Sequence, residues 1–533
     1  MMRISQQNSA KEAKRYYTTA DYYSQGQETV GLWGGLGAQR LGLSGQVDQP
    51  AFEQLCDNID PNSGEPLTVR TRRDRTVGYD FTFSVPKSIS LVYGLTGDES
   101  ILRAFREAVD ETMREIESEM QTRVRMAGRD ENRPTGNLIW AEFIHTTSRP
   151  VDGVPDPHLH AHLFVFNTTY DDHENRWKAG QFREIKRDAP YFQAAFRVRL
   201  ANKLQDLGYG VTRKRDDFEL KGLPADLLKR FSRRTTMIDD LARERGIDDP
   251  DEKALLGAES RERKRVELSL EDLRKDWLGR LSQAEIQAVE EVVQRIFSPE
   301  QGEPQETMAV DYAIDHVFVR DSVVAERKIL TEALKRGLGH VTVEATTSEL
   351  TCRDLIRTHE NGRLMATTPE LVDLESRMIA FARSGRGRFR PLGDPDREIQ
   401  RKWLNAGQVG AIRHVLASRD RVTLVRGAAG TGKTTLEQEL GDALAEAGRS
   451  VVALAPSIKA SRGVLRDEAG FTGADTVARF FNDPQLQEQA REGVILVDEA
   501  SLIGTRDLCR LFAMAESLQA RIVLVGDRRQ HRS

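Results

Sequence analysis

Apolar positions recur along this chain in two rhythms. Up to about residue 235 the rhythms are mixed: runs at 79–84 and 163–166 predict strands, and helical spacing over 99–125 predicts a long amphipathic helix. The run LIWAEFIH, ending at His145, can lie beside the alternating segment HLHAHLFVF as the second arm of a hairpin. This mixture reads as an α+β domain. From about 236 to 300 the sequence becomes strongly charged and helical, as exposed helices are. Between 301 and 400, SVVAERKILTEAL predicts a helix and HVTVEAT a strand, and together they suggest a small winged-helix-like module. The Gly, Pro and Arg of SGRGRFRPLGDPD, residues 384–396, predict a linker and a boundary near 400. Beyond it, apolar runs at 422–425, 451–455, 494–497 and 522–525 alternate with helical segments in α/β fashion.

Length agrees with several units: 533 residues exceed one core at ~150 residues per domain. The expected division is 1–300, 301–400 as linker or small module, and 401–533. A net charge of -5 excludes a uniformly basic coat, so any affinity for nucleic acid has to come from local patches. Such patches occur at 68–75, 212–215 and 229–234, and Arg72 and Arg73 are candidate DNA contacts. Cys56, Cys352 and Cys509 are too scattered for a disulfide framework or a CxxC site, which fits a reducing cytoplasmic setting. The N-terminus has no apolar signal core, and no window approaches a membrane span.

Two clusters carry chemistry. Four of the ten tyrosines, Tyr16, Tyr17, Tyr22 and Tyr23, fall in RYYTTADYY. They can be packing residues on a helix, or nucleophiles that store a phosphodiester bond as a phosphotyrosine ester. A phenol with a pKa near 10 needs help at neutral pH, from a base or from a cation that polarises the phosphate. Four of the ten histidines lie within 145–162. On a strand His160 and His162 share a face, His145 can join them from the neighbouring arm, and His158 has the same parity and is a rival ligand. Three imidazoles with open positions suit a divalent metal acting as a Lewis acid. Asp80, in GYDFTFSVPKSIS, can orient one histidine or take the tyrosine proton.

Residues Gly427 to Thr434 satisfy G-x-x-x-x-G-K-[ST] after an apolar strand and before a helix. Gly427, Gly430 and Gly432 let backbone N–H groups close around phosphate, Lys433 neutralises β and γ oxygens, and Thr434 can hold Mg²⁺. GVILVDEAS ends a strand in Asp498, for Mg²⁺, and Glu499, for activating water. ATP with Mg²⁺ is the expected ligand.

The ordered motifs YYTTADYY, GYDFTFSVPKSIS, TGNLIWAEFIHTTSRP and DPHLHAHLFVFN resemble those of MobF-class conjugative relaxases, which are HUH single-strand endonucleases. RIVLVGDRRQ, with Gln530, resembles the third motif of superfamily 1 helicases, and Gln408 resembles their adenine-reading glutamine. With the ATPase motifs the resemblance spans nearly the whole chain. It implies an HUH fold, with a five-stranded antiparallel sheet, followed by one RecA-like lobe. It also implies Tyr16 as first nucleophile with Tyr17 adjacent, Tyr22 or Tyr23 for a second transfer, and Asp80 as the activating carboxylate. His145, His160 and His162 become ligands of Mg²⁺, Mn²⁺ or another divalent ion. The implied activity is nicking and strand transfer at a plasmid transfer origin through a 5′-phosphotyrosyl intermediate, coupled to ATP-driven unwinding. Single-stranded DNA, type IV secretion coupling proteins and relaxosome accessory proteins are the implied partners. A rolling-circle replication initiator and a non-nicking DNA-binding module attached to an ATPase are the competing readings. A superfamily 1 motor needs two lobes, so a chain ending at Ser533 is expected to bind nucleotide weakly and not to unwind DNA.

Overall fold

The computed structural model describes residues 2–18, 31–69, 75–126, 128–247, 249, 252–253, 256, 269–296, 305–360, 362–427 and 432–527, excluding the side chains of 15–18 and 126. The chain divides into two compact units, residues 1–313 with 327–352, and residues 314–326 with 353–533.

The first unit is built on β1 (Met2–Gln7), α1 (Ala10–Thr18), β2 (Leu32–Gly34), α2 (Gln49–Cys56), β3 (Gly78–Ser84), α3 (Lys87–Thr96), α4 (Glu99–Ser118), β4 (Gln121–Met126), β5 (Arg129–Pro134), β6 (Trp140–Thr147), β7 (Pro157–Phe166) and α5 (Ala189–Asp206). Its main sheet has five strands in the order β1-β3-β7-β6-β2, every pair antiparallel. Residue parity sorts the two faces. Tyr79, Phe81 and Phe83 of β3 point to the helical side, where Phe196 of α5 meets Phe83 edge-on at 5.1 Å. On the opposite face the residues of β7 change character along the strand: His158, His160 and His162 give way to Phe164 and Phe166. The two phenylalanines join Phe52, Phe143 and Ala13 in a buried cluster that seats α1 and α2 on the sheet. Each such ring contributes roughly 2–3 kcal/mol by leaving water. The polar half of the same face carries the histidines.

Two sequence expectations are corrected in this unit. The helix expected over 99–125 stops at Ser118, because QTRVRM finds β5 as an antiparallel partner and becomes β4. HVTVEAT is not a strand: Thr342 accepts the Ala345 N–H at 3.1 Å and caps a helix, Val343–Thr351, that buries Val343, Thr346 and Leu350. The charged region after 236 belongs with this unit through Trp277, which is fully buried against Leu91, Leu95 and Phe231 and donates to the Pro155 carbonyl at 2.9 Å.

Residues up to 313 and 327–352 fall in the first unit, and residues 314–326 and those from 353 onward in the second. Helix Glu306–Val317, strand Val324–Ala325, helices Glu326–Gly337 and Val343–Thr351, and the hairpin of Ile356–Glu360 with Arg363–Thr367 follow in the order of a winged helix, with the hairpin's second strand central.

The second unit carries α6 (Ala406–Ala417), β8 (Val422–Arg426), α7 (Lys433–Glu446), β9 (Val451–Ala455), β10 (Asp475–Thr476), β11 (Val494–Val497) and β12 (Arg521–Gly526). Its sheet is wholly parallel, in the order β8-β12-β11-β9-β10. Buried on both faces, β11 reads as the uninterrupted apolar run VILV. Among the described residues no helix is long and apolar enough to cross a membrane.

Candidate metal and nucleotide sites

The register of three adjacent strands gathers the histidines. His160 lies opposite both Ser84 and His145, and His162 lies opposite both Thr82 and Phe143. Directly opposed residues share a face, so Asp80, Thr82, Ser84, His145, His160 and His162 all point to one side. The ring centres of His145, His160 and His162 form a near-equilateral triangle with sides of 5.1, 5.4 and 5.2 Å. Ligand bonds of about 2.1 Å in tetrahedral geometry put imidazole centres about 5 Å apart, so the spacing suits one shared ion. As the rings are set, no group of three His, Cys, Asp or Glu side chains among the described residues already closes on a metal position. The triangle therefore needs the rings to turn before it grips an ion.

Hydrogen bonds fix which nitrogens are available. The His162 Nδ1–H donates to both Asp80 oxygens, at 2.9 and 3.0 Å, with the Thr82 hydroxyl 3.3 Å away. The His160 Nδ1–H donates to the His158 carbonyl at 2.9 Å. Each ring then presents an Nε2 lone pair, the arrangement in which an outer partner orients a ligating histidine. Burial, and next the neighbouring imidazoles, hold His160 well below the ordinary histidine range. Burial and the Lys87 ammonium likewise push His158 down to about 3. Both rings are neutral at pH 7, as metal ligands must be. His158 stacks on His160 with ring centres 4.5 Å apart, outside the triangle.

Helix α1 packs on this sheet face through Ala13. Ala13 anchors it in the cluster containing Phe143 and Phe164, and Lys14 pairs with Asp57 beyond the end of α2. Tyr16 and Tyr17 occupy the last turn of the described helix backbone; their side chains, and all of Tyr22, Tyr23, Arg72 and Arg73, lie outside the described residues.

In the second unit Gly432 adopts φ 73°, a left-handed conformation that favours glycine, and caps α7. Lys433 begins that helix, its Nζ 3.5 Å from the Gly427 carbonyl, and Thr434 follows. Asp498 is buried at the end of β11, its carboxylate accepting the Glu499 N–H at 2.7 Å. Glu499 sits at φ 48°, strained backbone of the kind that collects at functional sites. Gln408 lies beside the phosphate loop, but its amide is engaged: it donates to the Gly432 carbonyl at 3.1 Å and accepts the Asn405 N–H at 2.9 Å. Gly430 and Gln530 lie outside the described residues.

Sequence reasoning passed over two residues. Thr82 is revealed only by strand register. Glu437, one helical turn after Lys433, reads as an ordinary surface acid yet is fully buried. Burial, and next the Asp498 carboxylate, push its carboxyl up to about 9, so it is protonated at neutral pH.

The TrwC relaxase family matches residues 10–284, more than half of the chain. The chain belongs to the TrwC relaxase family. A second family, the AAA domain, matches residues 403–533, so this TrwC relaxase is fused to a helicase-like ATPase region. The multifunctional conjugation protein TraI of Escherichia coli strain K12 is 28% identical over 502 residues, covering 88% of this chain and 27% of TraI. A TraI from Escherichia coli is 33% identical over 250 residues, covering 45% of this chain and 14% of that protein. The chain thus spans about a quarter or less of the length of these curated relatives. Among solved structures, the conjugative relaxase TrwC in complex with oriT DNA, metal-bound, is 31% identical with a TM-score of 0.47, covering 54% of this chain and 98% of that one.

Proposed function

We propose that residues 1–300 nick one strand of DNA at a plasmid transfer origin, and that residues 401–533 are the first RecA-like lobe of an ATP-driven helicase. One observation carries the first half: the triangle of His145, His160 and His162, backed by Asp80, shares a sheet face with the helix that bears Tyr16 and Tyr17. The Tyr16 phenolate attacks the scissile phosphorus and the P–O3′ bond breaks. The 5′ phosphate stays on tyrosine, and the departing 3′ oxygen takes up a proton. Asp80 is engaged with His162, which suits it to orienting that ring more than to receiving the phenol proton. A divalent cation, Mg²⁺ or Mn²⁺, supplies Lewis-acid polarisation of the phosphate when the three imidazoles hold it. Tyr17 is adjacent to the first nucleophile, Tyr22 or Tyr23 serves a second transfer, and Arg72 and Arg73 are candidates for contacts to the strand.

In the second half Lys433 and Thr434 would hold a triphosphate and its Mg²⁺, Asp498 would help to hold the metal, and Glu499 would activate water. Gly427, Gly430 and Gly432 are the candidate glycines of the phosphate loop, and Gln408 and Gln530 the further candidate nucleotide-site residues. A transfer-origin substrate places the reaction in the cytoplasm, and type IV secretion coupling and relaxosome accessory proteins are the partners this reading implies.

The test uses single-stranded transfer-origin oligonucleotide with Mg²⁺ or Mn²⁺ and the full chain. A covalent adduct that survives denaturation, and disappears in Tyr16→Phe, is the expected result. A wild-type chain that binds the oligonucleotide and forms no adduct overturns nicking and leaves a DNA-binding module.

Asp80→Asn is expected to weaken Mn²⁺ binding by about 10- to 100-fold, the usual cost of losing the partner that orients a ligating imidazole. Titration calorimetry reads this directly. An unchanged affinity would remove Asp80 from the site.

A further inference from the structure

Strand β1 contributes a residue to the histidine face that no motif singled out. The odd and even positions of β1 separate cleanly. Met2 and Ile4 lie opposite Phe83 and Phe81, on the helical side, whereas Arg3 and Ser5 lie opposite Thr82 and Asp80, on the side of the histidines. Arg3, Thr82 and His162 therefore form one row across three neighbouring strands. Two strand spacings put the Arg3 and His162 backbones roughly 10 Å apart. That gap admits a phosphate between an extended guanidinium and the imidazole tips.

The surroundings fit such a ligand. Helices α1 and α2 cover the other end of this face, where Phe164 and Phe166 are buried, but Arg3 stands at the histidine end and is exposed. Its directly opposed partner is a threonine hydroxyl, and the carboxylate on the diagonal, Asp80, is engaged with His162. A planar guanidinium on this polar face matches the paired non-bridging oxygens of a phosphodiester.

We propose that Arg3 binds a backbone phosphate of the DNA strand, on the β1 side of the histidine triangle, and so holds the strand across the site. The inference rests on the nicking reading and names a contact within it. It concerns positioning: Arg3 holds the strand, while the attack on phosphorus stays with tyrosine.

The test is fluorescence anisotropy of a fluorescein-labelled oligothymidylate with the full chain over a series of KCl concentrations. Each single-strand phosphate neutralised contributes about 0.7 to the slope of log affinity against log salt. Arg3→Ala is expected to flatten the slope by about 0.7 and to weaken binding most at low salt, while Arg3→Lys keeps the slope close to wild type. A purely structural role would leave the slope unmoved. Wild-type binding with an Arg3→Ala slope equal to its own overturns the assignment and leaves the nicking reading intact. A wild-type chain that does not bind the oligothymidylate overturns the assignment, and adduct formation on the origin oligonucleotide then decides the nicking reading separately.

Discussion

Replacing His160 with alanine is expected to lower metal-dependent strand cleavage by about a thousandfold, equivalent to roughly 4 kcal/mol of transition-state stabilisation. The size of the effect follows from position. His160 is opposite His145 in the register and 5.2 Å from His162, so its loss opens one side of the triangle. A pair of imidazoles is a far weaker holder of a divalent ion than three. His160→Ala should still fold, since the ring is only partly buried and no apolar cluster depends on it. His158→Ala supplies the contrast: that ring stacks on His160 from outside the triangle, and its loss is expected to cost about tenfold or less. Single-turnover cleavage of a labelled oligonucleotide, with binding of the same oligonucleotide as the control for folding, measures both. Near-normal cleavage by His160→Ala, with a deep loss in His158→Ala, would exchange the two rings in the ligand set.

Much of this site was legible from one short-range rule. Alternation along HLHAHLFVF places His158, His160 and His162 on one face whatever the rest of the chain does. The choice among them was not legible, because it depends on which residues of β3 and β6 lie opposite, and the β3 register is set by contacts between segments some 80 residues apart. Thr82 and Arg3 escaped notice for the same reason. The phosphate loop was plain because its residues are consecutive, whereas Glu437 looked like a solvent-facing acid until α7 packed it beside Asp498. The two element errors share a cause as well. In 121–126 and in HVTVEAT local propensity pointed one way, and a partner strand in the first case and a threonine cap with three buried side chains in the second decided the other. Gln408 was singled out only by its resemblance to an adenine-reading glutamine, and its two hydrogen bonds within the fold were not legible in the sequence.

The largest effect on stability is expected in the second unit, at Glu439. This carboxylate is fully buried on α7, between Arg397 at 2.6 Å and Arg401 at 2.7 Å, and it also accepts the backbone N–H groups of Gln400 at 2.9 Å and Arg401 at 3.2 Å. It thereby ties the segment leading into α6, and with it Gln408, to the helix that begins at Lys433. Burial alone raises the Glu439 pKa, but the Gln400 N–H and the two guanidinium groups outweigh it and hold the carboxyl at about 2, against an ordinary 4.5. Glu439→Ala leaves two largely buried cations with Glu446 beside Arg397, and with Asp442 and the Gln438 amide oxygen beside Arg401. The expected cost is about 3 kcal/mol. For a unit of this size that lowers Tm by roughly 6–12 °C. The pH dependence has a definite sign. A carboxylate whose pKa is depressed on folding stabilises fully above the unfolded value, so the wild-type contribution is intact above about 4.5 and is lost as pH falls toward about 2. Thermal unfolding followed from neutral pH down through that window should show the wild type losing stability faster than Glu439→Ala, until the two curves approach each other. Parallel curves, or a variant as stable as wild type at pH 7, would mean that this buried network adds nothing to the fold. A variant that unfolds early yet binds ATP normally below its transition would confine Glu439 to stability and separate it from the placement of the phosphate loop.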